Sequence, residues 1–151
     1  MNTPEEIVRV LAMPTWFIVG LGDNPDRDAY WVALALQQRG RRIIPIHPRA
    51  QVVHGDQGFA TIAAAARTVG APDVVDVFVR SSRAGEFADQ AIEAGAKAVW
   101  FQIGVLDESA AARVEDAGLV MVMDRCPKIE LGRHTVGTPP RTASGQDEGA
   151  G

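Results

Sequence analysis

The chain has 151 residues, 46% of them apolar, a single cysteine and a formal net charge of −4, which fits one globular domain that buries its own core. The negative charge argues against broad attraction to nucleic acid or anionic lipid, although it leaves room for a local basic site that holds phosphate. The sequence contains neither an apolar run long enough to cross a bilayer nor a basic leader, so we predict a cytoplasmic protein.

Strand-like and helix-like segments alternate along the whole chain. Continuous apolar runs indicate buried strands, and amphipathic or Ala-rich stretches between them indicate helices. In chain order we predict a helix from Thr3 to before Pro14, a strand at Trp16–Val19, a helix at 28–39, a strand at Arg42–Ile46, a helix at 59–69, a strand at Val74–Val79, a helix at 84–94, a strand at Ala98–Phe101, a helix at 107–117 and a strand at Leu119–Met123.

Capping residues and glycines mark the ends of these helices. Thr3 precedes a proline and two glutamates, which is typical of a helix start, and Asp107 is placed to cap a later helix. Glycines follow four of the helical segments at the position where a helix commonly ends, at Gly40, Gly70, Gly95 and Gly118. Pro45 is awkward inside its strand because proline lacks the N–H that a strand ladder uses.

The alternation predicts the fold class. Apolar strands separated by helices form parallel sheets whose two faces are both covered by helices. We therefore predict a Rossmann-type, doubly wound, mainly parallel five-stranded sheet in a three-layer α/β/α arrangement over residues 1–136. The segment 137–151 is rich in small and polar residues, and we predict that it is a disordered tail.

Sheets of this kind bind ligands at the carboxyl ends of their strands, which directs attention to the loops there. The loop after the first strand contains Gly20 and Gly22, which permit a tight turn and close approach of a diphosphate. Arg27 precedes the next helix, whose N-terminus favours an anion. Pro25 stands where a dinucleotide fingerprint has its third glycine, so an ordinary strand–helix turn is the alternative. The predicted binding residues here are Gly20, Gly22, Asp23, Asn24, Pro25 and Arg27.

The loop after the second strand distinguishes between cofactors. NAD-binding domains place an acid there to bind the ribose hydroxyls, whereas this chain has His47, Pro48 and Arg49. A basic residue suits a phosphorylated ribose, which both NADP and coenzyme A carry. Pro48 and Arg49 are therefore predicted binding residues, and the alternative is that Arg49 is a solvated surface residue.

The third and fourth strands bring further polar groups to the same edge. The predicted binding residues are Val79, Arg80, Ser81, Phe101, Gln102 and Ile103. Ser82 is placed to cap the following helix, and Trp100 is predicted to lie in the core.

The sequence offers little support for catalysis or metal binding. Cys126 lies beside Arg125 and Lys128, which favours a reactive thiol, but the sequence shows no histidine partner for it. The three histidines share no metal-ligand spacing with this cysteine. We predict no catalytic residues and no metal site.

Several of these segments, in this order, carry a family resemblance between Met13 and Ile129: Val19–Leu21, Pro25–Arg27, Ile44–Pro48, Val74–Phe78, Gly95–Gly104 and Met123–Cys126. The chain resembles the small stand-alone CoA-binding proteins, which look like the nucleotide-binding domain of the succinyl-CoA synthetase alpha subunit. The resemblance implies that coenzyme A contacts Gly22–Pro25, Arg49, Val79–Ser81 and Phe101–Ile103.

Two departures limit what the resemblance implies. His47 stands where such proteins usually have asparagine, and the synthetase's second domain, with its phosphorylated histidine, is absent from the sequence, so ligase activity is not carried over. The leading hypothesis is a binding module for coenzyme A or an acyl-CoA without its own catalytic machinery. The alternatives are an NADP-dependent oxidoreductase and a dinucleotide-sensing redox regulator.

Overall fold

A computed structural model describes residues 1–139 of the chain. Its helices and strands alternate as the sequence predicts. In chain order they are α1 (Pro4–Leu11), β1 (Thr15–Val19), α2 (Asp28–Gln38), β2 (Arg42–Ile46), β3 (Val52–Val53), β4 (Asp56–Gln57), α3 (Ile62–Val69), β5 (Val74–Val77), α4 (Ser81–Glu93), β6 (Ala98–Phe101), α5 (Glu108–Asp116), β7 (Val120–Val122) and α6 (Pro127–Arg133). No helix among the described residues is long and apolar enough to span a bilayer.

The five long strands form one parallel sheet in the order β2-β1-β5-β6-β7. The strand order reverses between β1 and β5. β2 pairs with one side of β1, whereas β5, followed by β6 and β7, lies on the other side. The predicted doubly wound parallel sheet is confirmed. In such sheets, the cleft for a ligand opens at the point where the strand order reverses.

Each face of the sheet carries its own hydrophobic core. Alternate residues of the strands point to opposite faces, so Phe17 and Val75 pack against α3, α4 and α5. Trp16, Ile18 and Trp100 pack on the other face against α1, α2 and α6. Trp100 is fully buried, as predicted. The three-layer arrangement therefore accounts for the uninterrupted apolar runs of the strands.

Pro45 fits into β2 because β2 is an edge strand. The carbonyl oxygen of Pro45 accepts a hydrogen bond from the Phe59 N–H at 2.9 Å, on the side away from β1. The N–H and C=O groups of one strand residue point to the same side, so the missing N–H of Pro45 costs β1 no ladder bond.

The helix caps are partly as predicted. Thr3 and Glu6 form a reciprocal capping box, and the Asp107 side chain accepts a hydrogen bond from the Ala110 N–H at 3.0 Å. The predicted cap at Ser82 is wrong, because α4 begins three residues earlier than predicted and Ser82 lies within it. The N-cap residue of α4 is Arg80, which makes no side-chain capping bond.

Other boundaries also differ from the sequence prediction, and three elements were not predicted. The helix predicted from residue 59 begins at Ile62, because Phe59 pairs with Ile46 of the sheet edge and Thr61 caps α3. β5 ends at Val77, two residues before the predicted end. The hairpin of β3 and β4 and the short helix α6 were not predicted.

The first residues of the predicted tail pack against the domain. Arg41 is buried and donates hydrogen bonds to the carbonyl oxygens of Leu11, Arg39 and Gly137. Pro139 is also buried. A buried guanidinium requires acceptors, and Gly137 supplies one of them. The predicted disorder from residue 137 onward stays a prediction. Residues 140–151, the rest of that predicted tail, lie outside the described residues.

Candidate ligand-binding site

A cavity of about 770 Å³ opens at the carboxyl ends of β1, β2 and β5. Its walls come from the loop after β1, the start of α2, the loop after β2, the start of α3 and one face of α4. The cavity thus lies at the point where the strand order reverses, which is the expected place for a ligand.

The loop after β1 requires glycine at two positions. Gly20 has a φ of +92°, and a β-carbon there would lie 3.0 Å from the Phe78 carbonyl oxygen. A β-carbon on Gly22 would lie 3.0 Å from Oε1 of Gln51 and would fill space at the wall of the cavity. The first glycine allows the turn and the second keeps the cavity wide, which are the roles that a close-packed phosphate loop gives to glycine.

No side chain caps the start of α2. Arg27 occupies the N-cap position without a side-chain capping bond, and Arg27, Asp28 and Ala29 all line the cavity. Asn24 stabilises the preceding turn, since its side-chain oxygen accepts a hydrogen bond from the Asp26 N–H at 2.9 Å. The unsatisfied N–H groups of a helix start favour an anion.

Charged side chains of both signs line the cavity. The three arginines, Arg27, Arg49 and Arg83, are balanced by three acids, Asp23, Asp28 and Glu86. Arg83 forms an ion pair with Glu86 at 3.3 Å, whereas Arg27 and Arg49 form no ion pair with any residue from 1 to 139. Two positive charges are therefore free to contact an anionic ligand.

Most of the residues predicted from the first three loops line the cavity. These are Gly20, Gly22, Asp23, Asn24, Arg27, Pro48, Arg49 and Val79. Pro25 does not line it; its carbonyl oxygen accepts a hydrogen bond from the Trp31 indole at 2.8 Å. Arg80 is exposed outside the cavity wall, whereas Arg83, one helical turn later, lines it. Ligand contacts by Pro25 and Arg80 stay a prediction.

The predicted residues at the end of β6 and Ser81 lie outside the cavity wall. Phe101 is fully buried in the core and Gln102 is nearly so, while Ile103 is 55% exposed. The Ser81 hydroxyl donates to the Gly104 carbonyl at 3.2 Å and accepts from the Leu106 N–H at 2.8 Å. Ser81 thus fixes the loop after β6, and ligand contacts by these four residues stay a prediction.

Several lining residues were not predicted from the sequence. Phe78 directly precedes a predicted residue, and His47 was named in the loop after the second strand but not as a binding residue. The lining residues of α4 are three or four residues apart, which is the spacing of one helix face. This spacing identifies the face only when the start of the helix is placed correctly. The lining residues missed are Val19, Asp28, Ala29, Ile46, His47, Gln51, Ala60, Thr61, Phe78, Arg83, Glu86, Phe87 and Gln90.

Gln51 joins the first two loops. Its Oε1 accepts a hydrogen bond from the Asp23 N–H at 3.2 Å, and Gly58 lets its backbone approach, since a β-carbon on Gly58 would lie 2.4 Å from the Gln51 carbonyl oxygen. Gln51 therefore positions the glycine loop from the side of β2.

We expect Gln51→Leu to loosen the loop after β1. The substitution removes the acceptor of the Asp23 N–H, and a hydrogen bond of this kind contributes about 0.5–1.5 kcal/mol. Hydrogen exchange at the Asp23 amide should then become about two- to tenfold faster. Gln38→Leu, on the exposed end of α2, is the control, and an Asp23 exchange rate equal in both variants would contradict this role of Gln51.

A buried carboxyl group lies in the sheet close to the cavity. Asp76 of β5 is fully buried between Ile18 and Trp100 of the neighbouring strands, and Phe78 of the cavity wall follows two residues later. Neither carboxyl oxygen of Asp76 has a hydrogen-bond partner among the described residues. Burial therefore raises the pKa of the Asp76 carboxyl well above its usual value.

Cys126 is 7% exposed and belongs to the core on the face of the sheet that α1, α2 and α6 cover. It is the N-cap residue of α6, and the Trp100 indole donates a hydrogen bond to the carbonyl oxygen of the preceding Arg125 at 2.8 Å. In the described part of the chain, no three His, Cys, Asp or Glu side chains are grouped so as to hold a metal ion. The predicted absence of catalytic residues stays a prediction.

Known proteins share both the sequence pattern and the fold. The family described as CoA binding domain matches residues 14–132. YneT of Bacillus subtilis (strain 168) is 32% identical over 112 residues, which cover 74% of this chain and 81% of YneT.

Two solved structures, from Pyrococcus horikoshii OT3 and Thermus thermophilus, have the same fold. The Pyrococcus protein has a TM-score of 0.80 and 32% identity, over 87% of this chain and 91% of its own. The Thermus protein has a TM-score of 0.77 and 25% identity, over 87% of this chain and 98% of its own. With a family match that spans most of the sequence, the chain belongs to the CoA binding domain family.

Proposed function

We propose that the protein binds coenzyme A or an acyl-CoA in the cavity at the carboxyl edge of the sheet. The observation that carries this proposal is Arg49, which lines the cavity after β2 without an ion-pair partner among residues 1–139. An acid at the end of this strand would bind free ribose hydroxyls, whereas an arginine suits the phosphate on the ribose of coenzyme A.

The remaining lining groups fit the other parts of the same ligand. The glycine loop and the uncapped start of α2 suit the diphosphate, with Arg27 supplying a second positive charge. Val79 and the end of β6 follow along the same edge, where the pantetheine arm would leave the cavity. The three acids of the wall limit general attraction to anions, so the affinity depends on the placement of the two free arginines.

We propose that the chain acts as a binding module and performs no reaction on the ligand itself. The basic residue after β2 also suits the phosphorylated ribose of NADP, so an NADP-dependent oxidoreductase is the second candidate. Because the two candidates share a phosphorylated ribose and differ in the rest of the ligand, both cofactors belong in the test.

We expect coenzyme A to raise the melting temperature more than NAD or NADP does. A ligand that binds only the folded state stabilises it, by about 2.7 kcal/mol at a concentration one hundred times its dissociation constant. The shift should therefore grow with coenzyme A concentration in a thermal denaturation series. Equal shifts with NAD, or no shift with millimolar coenzyme A, would contradict the proposed function, and a larger shift with NADP would favour the second candidate.

A further inference from the structure

One face of α4 forms a wall of the cavity, and the contacts proposed above for the phosphates and the ribose do not involve this wall. Arg83, Phe87 and Gln90 follow one another at helical spacing along this face, with Glu86 beside them. Thr61 at the start of α3 lines the same cavity. The wall combines an aromatic ring, a guanidinium and an amide. The first two can stack on a flat heterocycle, and the amide can form hydrogen bonds with its edge.

Arg83 is held in place as a planar surface. Its Nε and one terminal nitrogen donate hydrogen bonds to the two Glu86 oxygens, at 3.3 and 3.5 Å. The centre of the guanidinium lies 5.3 Å from the centroid of the Phe87 ring, which is itself half-buried against the core. A nucleobase stacks readily on an arginine plane or an aromatic ring, so this stack can be extended by a base.

Gln90 lies one helical turn beyond Phe87 and is partly buried in the wall. Its side-chain amide makes no hydrogen bond with another group in the described part of the chain. A glutamine amide presents one acceptor and two donors. That pattern complements the edge of adenine, which offers an amino donor next to a ring-nitrogen acceptor, whereas the corresponding edge of guanine offers two acceptors.

We propose that this face of α4 is a base-recognition subsite in which Arg83 and Phe87 stack on the base and Gln90 selects adenine over guanine. The inference rests on the proposed function, because it takes the nucleotide of coenzyme A as the occupant of the cavity. It assigns a specificity role to α4, whereas the phosphates are bound by the loops after β1 and β2.

The test compares adenosine 3′,5′-bisphosphate with guanosine 3′,5′-bisphosphate, which differ only in the base. We expect the unsubstituted protein to bind the adenine compound about tenfold or more tightly, measured by titration calorimetry. Gln90→Leu should reduce this ratio to less than about threefold, because the amide no longer distinguishes the two edges. Gln38→Leu, on an exposed position outside the cavity, should leave the ratio unchanged.

Gln90→Arg provides a result that partial unfolding cannot imitate. A guanidinium only donates hydrogen bonds, so it pairs with the two acceptors on this edge of guanine and loses the acceptor that the adenine amino group requires. The preference should then move towards guanine by about tenfold, while the added positive charge affects both bisphosphates alike. Arg83→Ala and Phe87→Ala should weaken both bisphosphates without changing their ratio.

Failures of the two proposals give different results. If coenzyme A binds but the two bisphosphates bind equally, or if neither substitution of Gln90 changes their ratio, the base-recognition subsite is wrong and the proposed function stands. If neither coenzyme A nor either bisphosphate binds, both proposals are wrong.

Discussion

We expect Asp76 to make the unsubstituted protein less stable as the pH rises, and we expect Asp76→Asn to abolish this effect. Asp76 is fully buried and its carboxyl oxygens lack hydrogen-bond partners among the described residues. Burial raises the pKa of this carboxyl well above the usual value of 3.8. The folded protein therefore holds a proton at Asp76 over a pH range in which the unfolded chain has lost it.

The direction of the effect follows from this difference in proton binding. Below pH 3.8 both states are protonated at Asp76, and the stabilising effect of the bound proton is fully present. As the pH rises from there to the raised pKa of the folded state, the free energy of unfolding falls by about 1.4 kcal/mol per pH unit. Asparagine does not titrate, so the variant should gain stability relative to the unsubstituted protein at each higher pH.

Urea unfolding at pH 5, 6, 7 and 8 measures this difference directly. The difference in free energy of unfolding between the two proteins cancels the titration of all other groups. Placing an amide at this site adds a term that does not change with pH. Asp116→Asn, an exposed change on α5, is the matched control and should give a constant difference. A constant difference for Asp76→Asn as well would show that Asp76 does not hold a proton in the folded state.

The parallel sheet could be predicted because its strands carry a strong signal. Both faces are covered, so Trp16–Val19 and Ala98–Phe101 are apolar without interruption and differ clearly from the helices. The hairpin of β3 and β4 carried no such signal. Its strands have two residues each, and its form depends on the left-handed backbone at Ala50, His54 and Gly55, where alanine and histidine rarely mark a turn.

The site was predictable where it lies on strand ends and less so where it lies on a helix. The strand ends place Gly20, Arg49 and Val79 at one edge of the sheet, whatever the exact length of each strand. On α4 the start was predicted three residues late, and one helical residue turns a side chain by about 100°. The late start therefore hid the face of α4 that carries Arg83.

Arg49→Ala is expected to weaken coenzyme A while leaving dephospho-coenzyme A nearly unchanged. If Arg49 pairs with the phosphate on the ribose, the lost charge-assisted contact is worth about 1.5–3 kcal/mol, or roughly ten- to hundredfold in affinity. Calorimetry of both ligands with both proteins isolates the contact between this arginine and that phosphate. Higher salt should shrink the difference, because Arg49 is exposed at the cavity mouth and its charge is screened.

Arg67→Ala is the matched control for Arg49→Ala. Arg67 is an exposed arginine of α3 that does not line the cavity, so its loss should weaken neither ligand. The fold should tolerate both changes, since Arg49 makes no side-chain hydrogen bond within residues 1–139 and its N–H bond to His47 Nδ1, at 3.1 Å, uses the backbone. Equal weakening of both ligands by Arg49→Ala would show that Arg49 does not bind that phosphate. Selective weakening of coenzyme A by Arg80→Ala would move the phosphate site to the loop after β5.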